Sequence, residues 1–151
     1  MMTLTERLLR DLRSTYDGDD TWHGTPLRRM VEGVDDAFAG AHPIAGARSI
    51  KELLAHVTAW NEIVDRRLGG EAYDPPYDVD FPSVAGVSLE TLLARLDAAH
   101  ERLCTSVAAL REDDFERIVP GKSYTVDFML RGLIHHNTYH AAQISMLRKV
   151  V

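Results

Sequence analysis

Two histidines four residues apart, His136 and His140, are the side chains whose type and spacing most directly suggest chemistry. They lie in the stretch from Thr125 to Leu147, which has the periodicity of one long amphipathic helix. Positions i and i+4 of a helix are neighbours on one face, so the two imidazoles can bind one divalent metal together. His135 points about 100° away from His136 and is excluded from that site.

The face that carries this pair is predicted to point into the core, because its other members are mostly apolar. At helical spacing the face comprises Met129, Leu133, His136, His140, Gln143 and Leu147. His135 belongs to a second group with Phe128, Tyr139 and Met146. With seven histidines in 151 residues, a His-x3-His pair indicates a metal site only when a third ligand accompanies it.

A third ligand is offered by His56 on another predicted helix. That helix begins at the capping box Ser49-Ile50-Lys51-Glu52 and ends at Gly69-Gly70. His56 lies mid-helix at the border of its apolar face. Since metal sites in helical bundles are built from facing helices, we predict His56, His136 and His140 as the ligands. Three neutral imidazoles suit zinc, nickel or ferrous iron and leave coordination positions open for water or substrate.

Two further helices complete the predicted fold. One starts at the capping box Thr3-Leu4-Thr5-Glu6, and the other is capped by Ser88. Without strand-like alternation or internal repeats, the chain is predicted to be all-α, a four-helix bundle of antiparallel or up-down type, in one domain spanning residues 1–151. The connections 18–48 and 69–87 are longer than a minimal bundle needs, which favours crossovers over tight hairpins.

The two long connections differ in character. Residues 18–48 are expected to contain a short helical turn capped by Thr25. Apolar side chains are expected to tie this segment to the core: Trp22, Leu27, Met30 and Phe38. Residues 71–87 hold three prolines and four acidic residues and are expected to form a loop. We expect its aspartates Asp74, Asp78 and Asp80 to be solvated; alternatively the loop closes over a cleft with its aromatic residues Tyr73, Tyr77 and Phe81.

Composition narrows the range of partners. The net charge of −6, with both signs interspersed, argues against a nucleic-acid partner. No apolar run approaches 18 residues, which argues against a membrane partner. Cys104 is the only cysteine, so an intrachain disulfide is excluded and a cytoplasmic location is expected. Cys104 lies within a predicted helix, where we favour an inert buried thiol over a nucleophile.

Three segments of the chain resemble the DinB-like (DinB/YfiT-like) superfamily of metal-dependent helical-bundle proteins. Residues 21–27, Thr-Trp-His-Gly-Thr-Pro-Leu, are similar to that family's Trp-x-Gly segment. Residues 43–60 are similar to the stretch that contains its first metal-binding histidine, and residues 132–144 to its His-x3-His followed by x-x-Gln-Ile. Arg48 and Ala142 depart from residues common in the family, His and Gly, but neither occupies a ligand position.

The resemblance implies a four-helix bundle, frequently dimeric, with a divalent metal held by His56, His136 and His140. It leaves the metal open among zinc, nickel, iron and manganese. Characterised members of the family include thiol-dependent S-transferases, isomerases and hydrolases, and many members have no assigned activity. A homodimer that acts on a small molecule is therefore expected, without contact to DNA.

Two hypotheses from different classes follow. In the first, the chain is an enzyme whose metal activates water or a low-molecular-weight thiol for S-transfer to, or hydrolysis of, a small molecule. No catalytic acid or base is identified by the sequence. In the second, the chain is a non-catalytic metal- or ligand-binding dimeric module of stress response. An enzyme requires an open site facing a substrate-sized pocket, whereas a structural metal site is closed.

Several side chains near the predicted site have two interpretations. His100, on the helix after Ser88, is favoured as a partly buried histidine contacting a carbonyl or a partner subunit, over a fourth metal ligand. Trp60 is favoured as a core residue over a wall of the metal pocket. Gln143 and Tyr139 either contact groups at the metal or have structural roles between helices.

Overall fold

The computed structural model of the chain describes residues 1–19 and 21–150. The regular secondary structure of these residues is entirely helical, without a strand, as predicted. The α-helices, in chain order, are α1 (Leu4–Asp17), α2 (Asp36–Gly40), α3 (Ile50–Leu68), α4 (Tyr77–Asp80), α5 (Leu89–Ala108) and α6 (Val126–Leu147). Two short 3-10 helices, Arg29–Val31 and Glu112–Glu116, lie in the connections. No helix among the described residues combines the length and the apolar character that a membrane span requires.

The four long helices form a bundle in which α1 and α3 each pack against both α5 and α6. Cross-helix contacts give the directions. His56 meets His136 while Arg67 meets Tyr124, so α3 and α6 are antiparallel. Contacts of Glu62 with Arg102 and of Asp65 with Ser106 show that α3 and α5 run parallel.

The parallel direction of α3 and α5 decides two predictions about the bundle, its up-down alternation and its crossovers. Strict up-down alternation is wrong, because α5 runs in the same direction as α3. A chain that leaves one end of α3 must cross the length of the bundle before starting a parallel helix, and residues 69–88 make this crossover. The prediction of a long crossover is therefore confirmed for residues 69–88. Contacts of Thr5 with Leu110 and of Tyr16 with Asp97 show that α1 runs antiparallel to α5, and hence to α3, so the connection 18–48 joins antiparallel helices and its predicted crossover is not confirmed.

The predicted helix starts are observed with their capping interactions. The Thr3 hydroxyl accepts from the backbone N–H of Glu6, whose carboxylate accepts from the Thr3 N–H. Ser49 and Glu52 form the same reciprocal pair at the start of α3. Thr125 caps α6 by accepting from the Phe128 N–H. These caps satisfy backbone donors that the first helical turn leaves free, so they fix where each helix begins.

Three expectations for the connections are wrong. Trp22 is fully exposed and does not tie residues 18–48 to the core, although Leu27 is buried as expected. Thr25 is not the cap of the helical turn, which begins only at Arg29. The loop 71–87 contains the short helix α4, which the prolines and the missing period concealed.

The core consists of two apolar clusters, one toward each end of the bundle. On α6, the first cluster ends near Leu133 and the second begins at Ala141. His136 and His140 fall between them, and His56 of α3 lies beside them. Other buried polar residues occur at the same level of the helices: Thr58, Asn61, His100 and Asn137. The bundle thus has a polar layer at mid-height, which contains the predicted metal ligands.

Candidate metal centre

His56, His136 and His140 converge on one point between α3 and α6. The Nε2 atom of His136 lies 3.0 Å from the Nε2 of His56 and 3.0 Å from that of His140. The three ligand atoms lie within 4.8 Å of one another, and this is the one group of its kind among residues 1–19 and 21–150. Ligands of a zinc ion, each about 2.0 Å from it, are roughly 3 Å apart. The three histidines could therefore hold a metal ion.

The tautomers of two histidines are set by their neighbours. The Nδ1 of His56 lies 2.8 Å from the backbone oxygen of Asp80, and the Nδ1 of His140 lies 2.6 Å from the amide oxygen of Gln143. Both oxygens accept, so each Nδ1 carries the proton and each Nε2 presents a lone pair. Oxygen partners of this kind orient metal-binding histidines. The donor set fits a divalent cation better than it fits three imidazoles facing one another.

Burial keeps two of the three imidazoles uncharged. Desolvation, together with the nearby imidazoles His140 and His56, lowers the pKa of His136 to about 3. Desolvation also lowers the pKa of His140, although the bond to Gln143 opposes this shift. Neutral imidazole is the form that binds a metal, so these two side chains are available as ligands at neutral pH.

Helix α4 contributes a residue that sequence reasoning assigned to solvent. Asp80 is half-buried: its carboxylate accepts from the Trp60 indole N–H at 2.7 Å and lies 3.1 Å from the Nδ1 of His56. Phe81 stacks on the His56 ring, with centroids 4.1 Å apart and an interplanar angle of 7°. The expectation that Asp80 is solvated is wrong. The alternative, in which the loop closes over a cleft, holds for Phe81, which covers the His56 ring.

A cleft of about 380 Å³ opens beside two of the three histidines. His56 and His136 form one end of it, and apolar side chains form most of its walls. Trp60 lines the cleft and also packs against the core. It is therefore both a core residue and a wall of the pocket beside the histidines. The remaining lining residues are Val64, Arg67, Asp80, Tyr124, Phe128, Met129, Gly132 and Leu133. A small molecule in this space could reach the histidines directly.

The other candidate residues lie outside the centre. His100 is buried, stacks on Tyr16 at 3.9 Å and has its Nε2 3.4 Å from the Cys104 sulfur, so it is not a fourth ligand. Burial raises the pKa of the Cys104 thiol, as expected for an inert cysteine. His135 and Tyr139 are exposed on the other face of α6, although the Tyr139 ring touches the edge of His140.

These features define a helical bundle with a three-histidine centre open to an apolar cleft. The sequence profile of the DinB superfamily matches residues 20–144, a range that contains all three histidines, and the chain belongs to this superfamily. No curated protein matches the chain.

Proposed function

We propose that the chain is a metal-dependent enzyme that acts on a small molecule bound in the cleft between α3 and α6. The observation that supports this most strongly is the position of His56 and His136, which belong both to the three-histidine group and to the cleft wall. A purely structural metal site would be closed on all sides. The open face therefore favours the enzyme over a non-catalytic binding module.

The side chains of this chain have separate roles in the proposal. His56, His136 and His140 hold the metal, while Asp80 and Gln143 fix two of the rings by accepting their Nδ1 protons. A bound divalent metal would supply a nucleophile at neutral pH by lowering the pKa of water or of a low-molecular-weight thiol. Walls formed by Trp60, Met129 and Leu133 exclude bulk water from the substrate. The reaction is S-transfer to an electrophilic molecule or hydrolysis.

Elemental analysis of protein purified without a chelating tag tests the metal centre. Wild type should carry about one equivalent of zinc, nickel, iron or manganese, and His56→Ala should lose it because two ligands bind far more weakly than three. His135→Ala is the matched control, since His135 neighbours His136 in sequence but lies on the exposed face.

Activity assays on the same two proteins test the enzyme proposal. Metal-loaded wild type should consume electrophilic substrates in the presence of thiols, or hydrolyse them without thiols, and His56→Ala should do neither. Wild type that carries no metal after incubation with these ions would refute the metal centre. Retention of metal in His56→Ala would refute the ligand assignment.

We also propose that two copies of the chain associate through the exposed face of α6. Phe128, Tyr139 and Met146 are each more than half exposed there, and His135 lies between them. Their spacing of 7, 4 and 7 residues keeps them on one side of the helix, as in helix–helix seams. A twofold pairing of α6 with its copy would bury these side chains.

A further inference from the structure

Arg67 lies at the opposite end of the cleft from the histidines. His56, Trp60, Val64 and Arg67 follow one another along one face of α3 and all line the cleft. His56 and Arg67 are eleven positions apart, which corresponds to about 16 Å of helix at 1.5 Å per residue. The cleft is therefore elongated, with the three-histidine centre at one end and a guanidinium at the other.

The walls between these two ends are apolar or aromatic. Trp60 and Val64 of α3 face Met129 and Leu133 of α6, and Phe128 and Tyr124 lie toward the Arg67 end. Asp80, close to His56, is the one carboxylate in the lining. A ligand that fills the cleft therefore needs an apolar body.

Arg67 is almost completely buried, with 3% of its surface exposed. Its Nε and one terminal nitrogen donate to the backbone oxygen of Tyr73 at 3.0 and 2.9 Å, and the other terminal nitrogen donates to the Tyr124 hydroxyl at 3.1 Å. A guanidinium has five N–H donors, so two of them form no hydrogen bond within the described part of the chain.

The charge of Arg67 is only weakly balanced. The carboxylate of Asp74 lies 3.6 Å away, beyond hydrogen-bonding distance, is 77% exposed and also pairs with Lys122. Neutral acceptors such as the Tyr73 carbonyl would be satisfied by an uncharged donor. A buried cation whose nearest carboxylate is exposed and shared with Lys122 costs free energy, and an anion arriving in the cleft would offset that cost.

We propose that the cleft binds an elongated small molecule with an apolar body and a carboxylate at the Arg67 end. The proposal rests on the function proposed above and specifies its substrate class. The carboxylate pairs with the guanidinium through charge-assisted hydrogen bonds, and the apolar body lies against Trp60 and Leu133. The other end of the molecule, where it reacts, reaches His56 and His136.

The chain offers a way to close the cleft without removing a charge. A Cβ added at Gly132, which lines the cleft, would meet no atom within 4 Å. A leucine at this helical position has room for its side chain and replaces a poor helix former. Gly132→Leu should therefore fill the cleft while leaving the bundle folded.

Calorimetric titration with octanoate and with 1-octanol tests the proposal. Metal-free protein is used at pH 7.5, so that octanoate cannot bind to a metal instead of to Arg67. Octanoate should bind about tenfold or more tightly than 1-octanol, as expected for a charged hydrogen-bonded pair in a buried site. Arg67→Gln should bring the two affinities to within about twofold by removing the charge, while Gly132→Leu should weaken both ligands.

Arg66→Gln is the matched control, because Arg66 is the neighbouring residue on α3, is partly exposed and does not line the cleft. It should keep the wild-type preference for octanoate. Equal binding of octanoate and 1-octanol by wild type, or an unchanged preference in Arg67→Gln, would overturn the proposal. If Arg67→Gln does not fold, the wild-type preference for octanoate and the weaker binding of both ligands to Gly132→Leu decide the question.

Metal content separates this inference from the enzyme proposal. Arg67→Gln should bind as much zinc as wild type, because the guanidinium lies at the far end of the cleft. Zinc binding without a preference for octanoate would refute the carboxylate site alone. A preference for octanoate in protein that binds no metal would refute the metal centre and leave the anion site standing.

Discussion

At the scale of single residues, His136 occupies the most unusual environment of the three histidines. Its Nε2 is shared between two other imidazole nitrogens, and its Nδ1 is buried without a hydrogen-bond partner in the described residues. A lone pair surrounded by other lone pairs is unfavourable without a proton or a cation between them. The apolar clusters on either side force this arrangement by burying all three rings together.

His100 shows what a buried histidine does away from the centre. Burial, with a smaller contribution from Arg13, lowers the pKa of His100 to about 4, against the opposing effects of Asp97 and Asp17. Between pH 4 and 6.5 the unfolded chain therefore binds a proton at this residue that the folded chain does not. Above pH 6.5 the unfolded chain no longer binds this proton. The free energy of unfolding therefore rises with pH across the window from pH 4 to 6.5.

We predict that His100→Phe flattens this dependence. The aromatic replacement keeps the stacking on Tyr16 but cannot take up a proton. Across pH 4 to 6.5, wild type should gain up to about 3 kcal/mol more than the variant. Urea unfolding followed by circular dichroism at several pH values measures the difference. Parallel pH profiles for the two proteins would show that folding does not lower the pKa of His100.

At the scale of elements, the four-residue helix α4 affects the centre more than its length suggests. Its last residue, Asp80, contacts both His56 and Trp60, and the following Phe81 covers the His56 ring. The crossover between α3 and α5 thus supplies contacts that fix the α3 histidine. The long helices carry the ligands, while this connection orients one of them.

We predict that Asp80→Ala weakens zinc binding by about tenfold, at the low end of the effect of losing a partner of a metal-binding histidine. The effect is limited because the Asp80 backbone oxygen still accepts from His56. Competition with a chelating dye measures the affinity. Asp78→Ala, in the same turn but exposed, should bind zinc like wild type; equal losses in both variants would show that only the folding of α4 matters.

At the scale of the whole molecule, α6 has two faces with different proposed roles. Its buried face supplies His136 and His140, and its exposed face carries the apolar stripe proposed to bind a second copy. Tyr139 joins the two, because its exposed ring touches the edge of His140. Dimer formation would therefore cover the outside of the helix that carries two of the three candidate metal ligands.

Light scattering coupled to size exclusion tests the dimer. Wild type should have the mass of two chains, and Tyr139→Glu should have the mass of one, because a carboxylate buried in the seam lacks a partner. Ala98→Glu, an equal change of charge at an exposed position of α5, should remain dimeric. A monomeric wild type at micromolar concentration would rule out the proposed interface.

Local patterns by themselves determined the helices and the three candidate ligands. Capping boxes at Thr3 and Ser49 fixed two helix starts, since their hydrogen bonds involve neighbours three residues apart. Helical spacing selected the His136 and His140 pair, and the border position of His56 on its helix supplied the third candidate. The separation of His135 from this pair was predicted for the same reason. Such features depend on residues within one or two turns, which the sequence contains directly.

Only the tertiary structure decided which distant segments meet. Trp22 gave no local signal of exposure, and Asp80 gave none of its contact with His56, because both depend on how the long connections fold back over the bundle. The parallel direction of α3 and α5 is likewise set by packing of whole helices, which periodicity cannot encode. His56 and Arg67 lie at the two ends of one cleft because α6 lies alongside α3 and leaves Gly132 facing the space between the two helices.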